Sequence, residues 1–199
     1  MSKRIVILAA ALALVVGIGG YAAFLAAKPG HDLSSRSEPV WTEVVWPFPV
    51  DEWGGGWAFE CKAADCGIDV NVYLRPKIGF CNCKVGVADD EELDRVSDVD
   101  LVGSERSALG PGRPIKGDWM KGRSRGYKVA TPWGTDRSAK SLLSLAFNPF
   151  NHTCDVVVAT VVAGDQPVAQ EQTVLAFLDG DLVRRYAEEL LGNVPAPDF

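Results

Sequence analysis

Ser2-Lys3-Arg4 opens onto an uncharged apolar run from Ile5 to Ala27, which ends at Lys28-Pro29-Gly30. At about 1.5 Å rise per residue, a helix of that length reaches roughly 34 Å, enough to cross a hydrocarbon core of about 30 Å. Both cations precede the run, so the positive-inside bias keeps residues 1–4 as a cytoplasmic stub and exports everything after Lys28. The run is longer than the apolar core of a cleavable signal peptide, about 7–15 residues. The best small-x-small cut, after Leu25-Ala26-Ala27, puts Leu at its first position. Residues 5–27 are therefore expected to remain as a single transmembrane helix, a signal anchor, with cleavage as a signal peptide the alternative. No lipobox cysteine follows the run. Gly19, Ala23 and Ala27 form a small-xxx-small stripe, a spacing that also arises by chance in an Ala-rich span.

Such an anchor divides the rest of the chain. Residues 28–40 are polar and Pro/Ser/Gly-bearing and read as a linker. Residues 41–192 have the length of one domain, and the tail at 193–199 is expected to be loose. The chain carries 20 Lys and Arg against 26 Asp and Glu, and setting aside the two cations ahead of the anchor makes the exported part more acidic still. That balance argues against general binding of nucleic acid or anionic lipid. Six Trp and eight Phe promise a substantial core.

Strand signals dominate after the aromatic, Pro-rich stretch Trp41 to Trp57. Trp41 and Trp46 suit either a membrane interface or apolar packing at the start of the domain. Residues 57–62, 68–74 and 78–85 read as short strands, and Ile68, Val70, Val72 and Leu74 share one face. Asp89 to Val96 reads as a short helix with acids in its first turn. Residues 115–121, 126–130, 142–148 and 154–163 complete the strands, and the last is apolar on both faces, as a central strand is. Asp165 and Asp181 are placed to cap two helices, ending near Leu178 and Gly192, the second carrying Arg184/Glu188 and Arg185/Glu189 at i,i+4. The expected fold is α+β: one mixed domain of about six largely antiparallel strands, with C-terminal helices packed on one face.

Cys61, Cys66, Cys81, Cys83 and Cys154 carry the chemistry. In an exported domain their default fate is disulfides. On a strand Cys81 and Cys83 would project from the same face, so Cys61 or Cys66 is expected to pair with the Cys81/Cys83 strand, although spacing alone does not choose. The competing reading is a copper or zinc site built from Cys61, Cys66, Cys81 and Cys83, since thiolates suit these metals. Neither pair has the C-x2-C spacing of a zinc ribbon or a redox motif.

Acids crowd Asp89 to Asp100, and a basic segment follows from Ser104 to Lys140. Lys121, Arg123, Arg125 and Lys128 are candidates for binding an anion or a partner. The alternative is that the two segments neutralise each other in the fold. Gly122-Arg-Ser-Arg-Gly126 matches the nucleophile elbow G-x-S-x-G, but a turn flanked by Arg and followed by a strand is the wrong context. Asp98-x-Asp100-x-x-Gly103 fails as a calcium loop at Val102 and Leu109, and Gly110 to Gly117 lacks the Lys-Ser/Thr step of a phosphate loop. Asn151-His152-Thr153 is a formal glycosylation sequon. With His31 in the linker, only His152 remains for histidine chemistry. Nothing here forms a catalytic set.

Several stretches resemble a group of uncharacterised, single-pass, membrane-anchored periplasmic proteins of alphaproteobacteria: WPFPVDEW at 46–53, FECKAADCGIDV at 59–70, KIGFCNC at 77–83, GVADDEELDRV at 86–96, WMKGRSRGY at 119–127 and CDVVVAT at 154–160. The resemblance spans most of the exported domain. It implies a bacterial inner-membrane location with the C-terminal domain in the periplasm, and neither catalysis nor a ligand. The expected function is a non-catalytic binding or assembly protein of the envelope with a protein partner there, or alternatively a factor handling thiols, copper or zinc.

Overall fold

A computed structural model of the protein describes residues 38–130, 139–150 and 154–192. The expected anchor, most of the linker, His31, His152 and the tail lie outside these residues. Among the described residues, no helix is long and apolar enough to cross a membrane.

One antiparallel sheet organises the domain. Its eight strands are β1 (Trp41–Val44), β2 (Trp57–Cys61), β3 (Val70–Lys77), β4 (Glu105–Ala108), β5 (Arg113–Lys116), β6 (Met120–Ala130), β7 (Ala139–Pro149) and β8 (Val156–Val162). They lie in the order β1-β2-β3-β8-β7-β6-β4, with β5 also paired to β6. The α-helices are α1 (Ala63–Cys66), α2 (Asp90–Val96), α3 (Glu171–Leu178) and α4 (Asp181–Gly192). The α+β class and the antiparallel sheet match expectation, with more strands than the alternation had marked.

Register explains which residues are buried. Phe59 lies opposite Val72, Val72 opposite Val161, and Val161 opposite Leu143, so one apolar row crosses four strands. Val174, Leu178, Val183 and Ala187 of α3 and α4 close over that face in the largest core cluster. Trp41 stacks on Phe177 with ring centroids 4.3 Å apart, so this tryptophan belongs to the core's edge. Burying a side chain such as Leu145 or Phe147 stabilises the fold by about 1.5–3 kcal/mol.

The opposite face is covered differently. Leu93 and Val96 of α2 pack with Val87 and Cys81 on Ala146, Val156 and Val158. The Asp89 side chain caps α2 by accepting from the Glu92 amide at 2.8 Å, and the acids of the first turn complement the helix dipole. Beside this apolar patch the cover is ionic. Arg75 and Lys77 on β3, with Asp98 after α2, are 3%, 4% and 5% exposed. Arg75 clamps Asp98 with two hydrogen bonds of 3.0 and 2.5 Å and reaches Asp51 at 2.7 Å. Lys77 lies 2.8 Å from Asp98 and donates to the Val96 carbonyl at 2.7 Å.

Three expectations need correction. Residues 78–85 are a loop, because Gly79 (φ 64°) and Gly86 (φ 68°) take the left-handed conformation and break extended backbone. Strands 115–121 and 126–130 become β5 and the continuous β6. Gly122 and Gly126 are close-approach glycines rather than turn residues: a Cβ would come within 2.6 Å of the Phe147 backbone and 2.8 Å of Val168. Asp165 caps nothing; a 3-10 turn, Pro167–Gln170, starts after Gln166 without a side-chain cap. The Arg184–Glu188 pair forms, at 2.8 Å.

Ser144 and Thr160 face each other across β7 and β8, fully buried, and neither hydroxyl has a hydrogen-bond partner. A buried unpaired hydroxyl costs about 1–3 kcal/mol. Thr160→Val, which keeps the shape, is therefore expected to raise stability by about 1 kcal/mol in urea unfolding. By contrast, Asp98→Ala leaves the buried Lys77 without a carboxylate and Arg75 with Asp51 alone among the described residues, and is expected to cost about 3–5 kcal/mol by the same measurement.

Candidate functional site

The five cysteines do not pair as expected. Cys61 bonds to Cys66 and Cys83 to Cys154. Cys61 ends β2, and α1 folds back within one turn, bringing Cys66 to it before the chain leaves that end of the sheet. Cys83 lies in the loop over the opposite face, beside the start of β8, so its nearest sulfur belongs to Cys154 and not to the Cys61/Cys66 segment. Cys61 belongs to the core cluster under α3 and α4, whereas Cys81 belongs to the cluster under α2. The four sulfurs considered as a copper or zinc set are thus not brought together, and no group of three or more His, Cys, Asp or Glu among the described residues is placed to hold a metal ion.

Cys81 stays outside both bridges, buried. Asn148, itself fully buried, donates through Nδ2 to Cys81 Sγ at 3.1 Å and to the Asp155 carbonyl at 2.5 Å, while its Oδ1 accepts from the Val87 amide at 2.9 Å. Burial pushes the Cys81 thiol pKa up, and the Asn148 hydrogen bond offsets only part of that.

The basic segment meets the acidic one. Arg123 is hydrogen-bonded to Asp90 and donates to the Gly112 carbonyl at 3.0 Å. Arg125 donates to both Asp94 oxygens, at 3.2 and 3.0 Å, and to the Gly110 carbonyl at 2.8 Å. The Tyr127 hydroxyl donates to Asp94, and Arg106 reaches Ser97 at 2.9 Å and the Asp94 carbonyl at 3.0 Å. Burial, then the Asp94 carboxylate, push the Tyr127 phenol up. Lys121 and Lys128 are exposed, but their odd separation on an unbroken strand puts them on opposite faces. Lys121, Arg123, Arg125 and Lys128 therefore form no single cationic patch, and both arginines are engaged by α2.

Ser124 lies inside β6, 2% exposed, and donates to Glu171, which Arg113 also holds. No elbow surrounds it. A cavity of about 180 Å³ adjoins Ser124, Arg113, Arg125 and Val168, smaller than the roughly 300–1,000 Å³ of ordinary small-molecule pockets. Asp98, first residue of the rejected calcium loop, is held by Arg75 and Lys77.

A larger opening lies at the other end of the sheet. An open groove of about 550 Å³ is lined by Glu43, Val44, Val45, Trp46, Gly56 and Trp57. Trp46 packs edge-on against Phe48 and Tyr73, with centroids 5.3 and 6.1 Å away, and its indole N–H is buried without a hydrogen-bond partner. Val45 and Val50, on the loop leaving β1, are 89% and 72% exposed. Aromatic density marked this stretch in the sequence, but nothing there indicated an open groove on an edge strand. Glu171 and the Arg75 cluster carried no local signal either, since their partners lie far away in sequence. Compared with known proteins, the chain matches no family model, no curated sequence and no solved structure.

Among the described residues, three carboxyls sit below their ordinary values: Asp51 through Arg75, Asp90 through the Gly112 amide and then Arg123, and Glu92 through Arg95. A carboxyl whose pKa is lower folded than unfolded contributes stability that is complete above its unfolded value and lost as pH falls toward the folded one. The urea midpoint should be level above about pH 5 and fall steadily below about pH 4. A midpoint unchanged down to about pH 3 would show that these pairs add nothing to stability.

Proposed function

We propose that the chain is a membrane-tethered, disulfide-stabilised, non-catalytic binding or assembly protein of the bacterial envelope. Residues 5–27 anchor it in the inner membrane, and the domain faces the periplasm. The partner is another envelope protein, which adds an extended segment along β1. One observation carries this reading: β1 ends the sheet, is paired with β2 alone among the described residues, and borders the Trp46/Trp57 groove. An open strand edge supplies backbone hydrogen bonds to an added strand, and an adjoining aromatic groove supplies pockets for its side chains. The Arg123 and Arg125 guanidinium groups, by contrast, are paired with α2 and less free for an incoming anion. The apolar run at 5–27 and the resemblance to anchored alphaproteobacterial proteins support the location, and the two disulfides suit an oxidising compartment.

The test uses the full-length chain in membranes, with a photo-crosslinking residue in place of Val45 or, as control, Lys128. A discrete protein adduct is expected from position 45 and not from position 128. Equal expression with no adduct from position 45 would refute the β1 surface as the docking site.

A further inference from the structure

Three cysteines lie where the loop after β3 meets the chain entering β8. Cys83 is exposed and bonded to the half-exposed Cys154, and Cys81 lies two residues before Cys83 with its thiol buried. The Cys83 Sγ lies 3.9 Å from the Cys81 carbonyl oxygen. The Asn148 amide touches both the Cys81 thiol and the carbonyl of Asp155, the residue after Cys154. One buried side chain therefore holds the thiol beside the chain that carries the far sulfur of the bridge. Exposed disulfides are the ones open to exchange, and exchange requires a thiolate within reach of a bridged sulfur.

The geometry points to a thiol–disulfide exchange site made of Cys81, Cys83 and Cys154, in which the bridge migrates from Cys83 to Cys81 and a thiol moves from the interior to the surface. Cys81 loses its proton to solvent, and its thiolate attacks Cys154 Sγ. The Cys81–Cys154 bond forms as the Cys83–Cys154 bond breaks, and Cys83 leaves as a thiolate that takes up a proton from water. One disulfide and one thiol are present before and after, so no external oxidant or reductant takes part. The new thiol sits at the exposed Cys83, where a partner's disulfide reaches it. The step moves the segment around Asn82 off Glu92, and the bridge ties the same loop to the chain entering β8 in both states. The site is independent of the β1 surface and of membrane anchoring.

Native full-length chain in detergent is alkylated with iodoacetamide over hours, at pH values from about 7 to about 9, then digested with trypsin without reduction. Cys81 and Cys83 share the peptide from Ile78 to Lys84, and tandem mass spectrometry locates the label and the bridge within it. The expected result is label accumulating on Cys83 with Cys81 bridged to Cys154, at a rate rising about tenfold per pH unit while the thiol titrates. Label confined to Cys81, or no label at any pH, overturns the inference. Cys83→Ser supplies a second measurement: after mild oxidation it is expected to carry a Cys81–Cys154 bridge. A folded Cys83→Ser chain, by circular dichroism, that keeps two unbridged thiols also overturns it.

Discussion

Arg75 joins three parts of the chain that share no local sequence. Its guanidinium reaches back to Asp51 ahead of β2 and forward to Asp98 beyond α2, while its own strand, β3, lies in the interior of the sheet. Lys77 adds a second cation on Asp98 and hydrogen-bonds the carbonyl of Val96, the last residue of α2, where a positive charge complements the helix dipole. Two cations and two anions make the cluster neutral, which is the condition for keeping charges out of water. Its role is positional more than energetic. A buried ion pair contributes little over an apolar replacement, but it fixes which segments meet, since any slip leaves a charge unpaired. Trp53 and Phe80 add ring faces 5.5 and 5.6 Å from the Lys77 amine, so the aromatic loop after β1 is bound to the same point.

The two faces of the sheet are therefore sealed by different physics. Under α3 and α4 the contacts are mainly apolar, with the Phe177 ring against both Trp41 and Phe59, beside the buried carboxylate of Glu171 on Ser124 and Arg113. On the other face the cover is a long irregular segment with one short helix. Charge clamps from Asp90, Asp94 and Asp98 and the Cys83–Cys154 bridge fix where that segment meets the sheet. The acidic and basic stretches of the chain meet here as two halves of one layer contact.

What sequence could reveal divides along the same line. Alternation at Val70, Val72 and Leu74 marked β3, the apolar run near Val157 marked the central β8, and Asp89 with its following acids marked α2, because in each case the signal and its cause lie within a few residues. The short strands β1 and β4 escaped because β4 is exposed throughout and β1 is no more than half-buried along its length. Residues 78–85 imitated a strand until the left-handed glycines and the bridge from Cys83 are taken into account. The Cys83–Cys154 bridge and the Arg75 cluster were out of reach for a common reason. Each joins segments far apart in sequence, and such pairing leaves no periodic trace in the chain.

The two chemistries proposed for the domain lie at different places on the sheet. Exchange among Cys81, Cys83 and Cys154 acts on the ionic layer, within one loop already pinned by Asn148 and by Glu92, whose carboxylate accepts from the Asn82 amide at 2.7 Å. The β1 edge borders both layers: on one face Tyr186 of α4 donates to Glu43 at 2.8 Å and Trp57 packs on Tyr186 at 5.1 Å, and on the other Trp46 packs on Tyr73, which shares the face of Arg75. The Arg75 cluster is the link between the two places, since it binds the loop after α2 through Asp98 to Asp51, five residues beyond Trp46 on the loop that leaves β1.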